Sequence, residues 1–479
     1  MFYANRKSGE VILADFFPNL LARLPLEERT ASDAAVIDHC LFRSVAGVET
    51  YCANIRRAGH GERLSIRLDT GIAGTLQFDR VDAPSKQDSV AAYVEGIDAA
   101  LESVLTPLCS EVGTANLFSG GVDSTLIQSY LRERVPAVYV ECGWNNDAYE
   151  REYGVQAARL LGTELREITF GHSLFLDDLT HTIKELGNPP RLLQWTFLRS
   201  TLEQSWDKLI IGVHADALFD ESVRTARVAS LFASRPGQTV LDLAKPLLGL
   251  VSRLKGVRPA AAQLRRDPCD PYGYAGQADV ITDPAWVAEA FGSEPVQESL
   301  ENRLQQGIAR APAPRDNAST FSRHLELAHW GEYFCNEFPE EFRSLGLAHG
   351  KTVATPFHTF EVMAAAARIP TEHRYAEGLN SKYLLKKLLK NREPDYPINQ
   401  RKGSSHAPFS DLYKDTTLSE VWERYDLSDW CEGDLKARAT DPFYGLLRTA
   451  ITWAVWEREV LRNPDLQVLA TTREQSWTH

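Results

Sequence analysis

Residues 115–127 read Ala115-Asn116-Leu117-Phe118-Ser119-Gly120-Gly121-Val122-Asp123-Ser124-Thr125-Leu126-Ile127, a short apolar strand running into a glycine pair and then into a helix start. Adjacent glycines let the backbone take φ > 0 and approach an anion closely. The N–H groups of the next helix's first turn, at the positive end of its dipole, face the same point. Ser119, Ser124 and Thr125 add hydroxyl donors. Asp123 is the unusual member, because a carboxylate beside a phosphate repels it unless a divalent cation lies between them. A pyrophosphate group with Mg2+ meets both conditions. A glycine turn with Asp123 as an ordinary helix-start residue is the alternative that a looser Gly-Gly-x-Asp would leave open.

Composition narrows the classes around this loop. A chain of 479 residues, 43% of them hydrophobic, is long enough for two or three domains with substantial cores. With 52 basic against 65 acidic residues the net charge is -13 and no basic stripe is present, which argues against a nucleic-acid partner. The seven cysteines (Cys40, Cys52, Cys109, Cys142, Cys269, Cys335, Cys431) are scattered without a CxxC pair, as suits reduced thiols rather than a disulfide framework or zinc site. No apolar run approaches a membrane span, and residues 1–7 lack a signal peptide's apolar core. The expectation is a cytoplasmic protein with no membrane partner.

The remaining pattern is alternating. A helix over 86–110 leads in, with Ala91, Tyr93, Val94, Ile97, Leu101, Val104 and Leu105 at roughly helical spacing. Strands follow the loop at 135–140 and 164–168, on either side of a helix that carries Tyr153, Val155, Ala157, Ala158, Leu160 and Leu161. This order predicts an α/β fold with a parallel sheet that binds ligands at the carboxyl ends of its strands. Lys208-Leu209-Ile210-Ile211-Gly212-Val213-His214-Ala215-Asp216 is a further buried strand that ends at glycine and delivers Asp216 to the end occupied by Asp123. Two carboxylates from separate strand ends can hold Mg2+. His214 either titrates near neutrality or is a structural histidine. Residues 1–85 mix short strands and turns, as in Arg63-Leu64-Ser65-Ile66-Arg67-Leu68 before Asp69-Thr70-Gly71, and form a small β-containing region.

The string Ser119-Gly120-Gly121-Val122-Asp123-Ser124 is similar, without a gap, to the pyrophosphate loop of the N-type ATP pyrophosphatases. Gly212, Asp216, Leu218 and Phe219 resemble the matching segment of asparagine synthetases. The resemblance implies an adenine nucleotide α-hydrolase-like synthetase domain over 86–479. It implies ATP binding at Leu117, Ser119, Gly120, Gly121, Asp123, Ser124 and Gly212, and Mg2+ at Asp123 and Asp216. The family's acidic cluster falls near Asp147 and Glu150, which could equally be a solvated helix start. Asn380-Ser381-Lys382-Tyr383-Leu384-Leu385-Lys386-Lys387 and Gln400-Arg401-Lys402-Gly403 resemble the family's Lys-x-x-Leu-Arg helix and its Arg-Lys loop. Lys382 and Lys402 are thereby implied as cationic donors to the phosphates and to a tetrahedral intermediate. Ala354-Thr355-Pro356-Phe357-His358-Thr359, followed by an apolar helix over 362–369, resembles the Pro-Phe-Leu-Asp landmark. Thr359 replaces the acid there, which leaves His358 and Glu361 as candidate bases.

The departures shape the expected reaction. Residues 30–70 resemble the tail of the family's glutaminase domain, but the cysteine that follows the initiator Met in the family is Phe2 here. Without that thiol nothing opens glutamine's amide, so 1–85 is expected to be a vestigial domain that liberates no ammonia. The family's glutamate after the first glycine is Val213, and its Asp-Glu pair is Asp216-Ala217. β-Lactam-forming synthetases, which this chain also resembles, carry a tyrosine of a base dyad where Val213 stands. The long region 221–320, with several prolines and glycines, is comparable to an insertion in lasso-peptide macrolactam synthetases. It serves either as a lid or pocket for a large substrate or as a surface elaboration. Trp453 and Trp456, in a closing helix over 446–461, are read as core. The resemblance favours a ligase that joins a small-molecule or peptide carboxylate to an amine, forming AMP and pyrophosphate, and makes a lactam or macrolactam of specialised metabolism. Intermolecular use of ammonia or a second amine is the alternative, and a non-catalytic nucleotide-binding partner subunit is the alternative of another class. A homodimer is compatible with each.

Overall fold

The computed structural model describes residues 2–6, 10–58, 63–67, 71–75, 89–141, 148–169, 175–191, 195–219, 243, 282, 284–310, 338–369, 382–399, 424–425 and 445–466. At the amino-terminal end, β1 (Phe2–Asn5) lies between β2 (Val11–Ala14) and β3 (Ile55–Arg57) in an antiparallel sheet. Phe2 and Ala4 are buried while Asn5 is exposed, the period-two pattern of a strand with one covered face. α1 (Phe17–Arg23) carries Pro18 in its first turn, where a missing N–H leaves no bond unmade. α2 (Asp33–Phe42) is capped by Ser32, whose Oγ accepts from the Ala35 N–H at 3.3 Å, and it stops at Arg43 in the left-handed region. β4 (Arg63–Arg67) and β5 (Gly71–Thr75) pair as a hairpin. The small β-containing region is therefore present, with two short helices added to it.

This region shares its core with the far end of the chain. Phe2, Leu20, Leu41 and Tyr51 belong to one buried cluster with Ile183, Leu300, Trp453 and Trp456. His39, itself buried, pairs through Nδ1 with the Tyr51 hydroxyl at 2.9 Å and through Nε2 with Thr452 Oγ1 at 3.1 Å. Trp456 is fully buried in the helix Gly445–Trp456, and its Nε1 donates to the Gly187 carbonyl at 2.7 Å. Both tryptophans are core, as the sequence suggests. Of the region 221–320, only 243, 282 and 284–310 are described. There the helices Pro284–Phe291 and Ser293–Arg310 add Val287, Val296 and Leu300 to the same cluster.

α3 (Val90–Leu108) leads into the central sheet and buries Tyr93, Val94, Ile97, Leu101 and Leu105. Next come β6 (Thr114–Leu117), α4 (Val122–Leu131), β7 (Ala137–Glu141), α5 (Ala148–Leu161) and β8 (Leu165–Thr169). α6 (Phe175–Leu186), α7 (Trp195–Leu202), β9 (Lys208–Ile210), α8 (Ala215–Phe219) and β10 (Thr352–Ala354) follow. The five strands β10-β9-β6-β7-β8 form a parallel sheet, the predicted α/β arrangement. The chain runs outward from β6 to β8 and then crosses to β9 on the other side, so the strand order reverses between β6 and β9. In open α/β sheets the ligand crevice lies at such a switch point, outside the carboxyl ends of the strands.

Buried polar bonds fix the helix that starts at this crevice. Gln128 of α4 accepts from Asn116 Nδ2 of β6 at 2.8 Å, and its own Nε2 donates to the carbonyls of Arg132 at 2.9 Å and Val135 at 2.8 Å. Among the described residues no helix is long and apolar enough to cross a membrane. Trp456→Ala should cost about 3–5 kcal/mol, the range for large buried aromatics. Urea unfolding measures it, and an unchanged midpoint would contradict the shared core.

Candidate active site

The turn between β6 and α4 is shaped by one glycine of the pair. Gly120 has φ +74°, while Gly121 is the N-cap of α4 at φ -72° and ψ 168°, a conformation open to any residue. A Cβ on Gly120 would lie 2.5 Å from the Gly154 backbone nitrogen and 2.6 Å from the Tyr153 carbonyl carbon, so α5 leaves no space for a side chain. The loop's hydroxyls hold it from within. Ser124 Oγ accepts from the Ser119 N–H at 3.2 Å, and Ser119 Oγ accepts from the Gly121 N–H at 3.3 Å. These are long bonds that an incoming anionic oxygen can replace. Ser119 and Gly121 are exposed at the mouth, whereas Ser124 is buried beneath them. Thr125 is fully buried, so the hydroxyl expected from it does not reach the mouth. Leu117 closes β6, half-buried against the apolar cluster under the sheet.

Three charged side chains meet beside this loop. Asp123 lies in the first turn of α4 and Asp216 in the first turn of α8. Gly212, just after β9, lies against α4, where a Cβ would crowd Ile127 Cδ1 at 3.3 Å and make ordinary contact with Asp123 Cβ at 3.6 Å. Lys382, 6% exposed and at φ 57°, caps the helix Tyr383–Arg392. Its Nζ donates to both Asp123 Oδ2 and Asp216 Oδ1. Burial alone would lower the Lys382 pKa, but the two carboxylates outweigh it and hold the ammonium charged, above its ordinary range. Two carboxylates and one ammonium leave an excess of one negative charge.

That arrangement suits a divalent cation delivered with phosphates. The space between the carboxylates already attracts a cation, the Lys382 ammonium, which serves as a stand-in. Among the described residues no third histidine, cysteine, aspartate or glutamate joins them in a metal-binding group. Mg2+ held by Asp123 and Asp216 would therefore complete its shell from phosphate and water oxygens, its usual preference.

The two base candidates are placed differently. His358 packs its ring edge-on against His214, with centroids 4.9 Å apart at 67°. His214 has φ +70°, is buried and lies two residues before Asp216. Burial first, then His358 and Arg191, hold its pKa well below 6.5 against the opposing pull of Asp216. Glu361 is exposed on the first turn of the helix Phe360–Ala367. Where the family resemblance would place acids, Val213 packs against the apolar cluster under the sheet, and the Thr359 hydroxyl donates to the Pro356 carbonyl at 2.9 Å. Glu150 sits in the first turn of α5, while Asp147 and Lys402 lie outside the described residues.

Two residues of the site escape the sequence reading. Gly154 is the surface on which Gly120 packs, and an isolated glycine in a helical pattern is a signal of close backbone approach. Tyr396, fully buried, donates its hydroxyl to the Gly120 carbonyl at 2.6 Å across 276 residues of chain, a contact no local pattern announces. The segment bearing it is fastened to α4. Arg392 Nε donates to Ser129 Oγ at 3.0 Å, its guanidinium stacks 3.6 Å over Tyr130, and Glu393 pairs with Arg132 at 2.7 Å.

Gly120→Ala should destabilise the fold by about 1–3 kcal/mol, since it forces a left-handed alanine into a filled space. Chemical denaturation reads that loss, and wild-type stability would contradict the packing. The lowered His214 pKa has a definite sign. Its unfolded form takes a proton near pH 6.5 and the folded form does not, so stability is full above 6.5 and declines as pH falls below it. His214→Asn, which tolerates the same φ, should flatten that decline in urea titrations between about pH 6.5 and 5. An equally steep decline would contradict the assignment.

The family profile described as Asparagine synthase matches residues 97–476, a span that takes in the loop, Asp123, Asp216 and Lys382. Asparagine synthetase [glutamine-hydrolyzing] 1 of Bacillus subtilis (strain 168) is 19% identical over 416 residues, covering 85% of this chain and 63% of that protein. The chain thus spans less than two thirds of the length of the curated relative it matches. On the extent of the profile match, the chain belongs to the asparagine synthase family.

Proposed function

We propose that the chain is an ATP-dependent carbon-nitrogen ligase that adenylates a substrate carboxylate, releases pyrophosphate and passes the acyl group to an amine. The observation that carries this reading is the meeting of Asp123, Asp216 and Lys382 beside a glycine-led phosphate loop at the switch point of a parallel sheet. In this reading the exposed N–H of Gly121 and the hydroxyl of Ser119 receive phosphate oxygens of ATP, with Ser124 supporting them and α4's positive end aimed at the same place. Asp123 and Asp216 would hold Mg2+, which when bound neutralises phosphate charge and steadies the departing pyrophosphate. A carboxylate oxygen attacks the α-phosphorus, the bond to the β-phosphate bridging oxygen breaks, and an acyl-adenylate and pyrophosphate result. An amine then attacks the acyl carbon. His358, held by the buried neutral ring of His214, is the base that takes the amine proton as AMP leaves. Lys402 is assigned to the oxyanion from its family spacing.

The amine is proposed to be part of the substrate, so that the product is a lactam or macrolactam of specialised metabolism. Val213 and Thr359, which put an apolar side chain and a backbone-bonded hydroxyl where the asparagine-forming members would place acids, argue against glutamine-dependent asparagine synthesis and make an amine already in the substrate the preferred nucleophile. The same reading takes 86–479 as the synthetase domain and 1–85 as a glutaminase-derived domain kept for structure. The buried contacts of His39 and Tyr51 with the helix that carries Thr452 and Trp456 support such a structural role. Free thiols at Cys40, Cys52 and Cys109 support a reducing, cytoplasmic setting.

Pyrophosphate release from ATP and Mg2+ with a panel of amino acids, β-amino acids and peptides tests the reading, with product masses read alongside. Release with a product lighter by one water and no added amine is the expected result. Asp123→Asn and Asp216→Asn should each lower kcat by about a hundredfold or more. Release only with ammonia or a second amine would replace the lactam reading with an intermolecular ligase. ATP binding without release for any acid would favour a nucleotide-binding subunit.

A further inference from the structure

The Gly120–Gly121 peptide is the least restrained unit of the phosphate loop, because glycine on both sides removes the Cβ barrier to flipping it. In a planar trans peptide the Gly120 carbonyl and the Gly121 N–H point in opposite directions. One orientation offers an anion a donor, and the other offers it a carbonyl oxygen. Tyr396 holds the carbonyl at 2.6 Å on the inner side, so the Gly121 N–H is turned outward, where its partner among the described residues is Ser119 Oγ at 3.3 Å. The segment that bears the hydroxyl is itself tied down. The Tyr396 N–H donates to the Glu393 carbonyl at 3.1 Å, Lys390 Nζ donates to the Tyr396 carbonyl at 3.3 Å, and the same segment is bolted to α4 through Arg392 and Glu393.

We propose that Tyr396 is a positioning residue for nucleotide phosphate: it locks the Gly120–Gly121 peptide with its N–H toward the phosphate. The inference rests on the ATP-binding reading above and adds to it a residue outside the loop that sets the loop's polarity. Tyr396→Phe keeps the buried ring and removes only the hydroxyl. It should weaken ATP binding in the presence of Mg2+ by about fivefold to twentyfold, and pyrophosphate binding in parallel, while kcat at saturating ATP changes by less than about twofold. A flipped peptide would need positive φ at position 121, so Gly121→Ala should resist flipping. The Tyr396→Phe penalty should therefore shrink in a Gly121→Ala background, a non-additivity that a structural effect elsewhere would not produce.

Calorimetric titration of ATP with Mg2+ into the four proteins gives the answer. Wild type that binds no ATP would overturn the functional reading and this inference together. Wild type that binds ATP, with Tyr396→Phe binding equally well, would overturn this inference alone. Equal penalties in both glycine backgrounds, or a fall in kcat with binding unchanged, would do the same.

Discussion

A buried lysine between two aspartates is the interaction on which the site depends. Lys382 brings α4, α8 and the helix Tyr383–Arg392 to one point, and none of the three carriers is near another in sequence. Taking an ammonium out of water is costly unless carboxylates accompany it, and leaving either aspartate close to the other without a cation would be costly too. The share of Asp216 is reduced by solvent, since its side chain is 55% exposed, and the share of Asp123, at 20%, is larger. The triad therefore ties three helices together while leaving the Asp216 carboxylate largely open to solvent.

The surrounding structure serves that geometry. A parallel sheet whose order reverses between β6 and β9 sets two strand ends side by side, and Gly212 keeps the chain after β9 free of a side chain that would press on Ile127 of α4. Gly120 lets the loop turn tightly enough to lie on α5, and the Gln128 network stops α4 from sliding along β6. Two of the four described non-glycine residues at positive φ, His214 and Lys382, lie in the turns that deliver the charged groups. Residues in such conformations persist only where surrounding packing over-determines them, as it does at these buried positions.

Much of this was visible in the sequence, and the rest was not for identifiable reasons. The strands over 115–118, 135–140, 164–168 and 208–211 announce themselves as apolar runs bounded by helices, which is enough for a parallel sheet. β10 escapes notice because it has three residues and takes its register from pairing Val353 with Leu209. Asp123 and Asp216 are legible because carboxylates beside a glycine turn are chemically conspicuous. That Lys382 bridges them was not, since a lysine-rich helix looks like a solvated face until tertiary packing buries it. Tyr396 carried no local signal at all. The glycine pair suggested two permissive positions, but only Gly120 uses the freedom.

In the proposed reaction the substrate carboxylate attacks the α-phosphorus of ATP. Turnover of a substrate labelled with oxygen-18 in that carboxylate tests it most directly, because the attacking oxygen must remain on the phosphorus. The account predicts AMP carrying one labelled oxygen alongside unlabelled pyrophosphate. Label in inorganic phosphate with ADP as coproduct, or AMP formed without label, would contradict it.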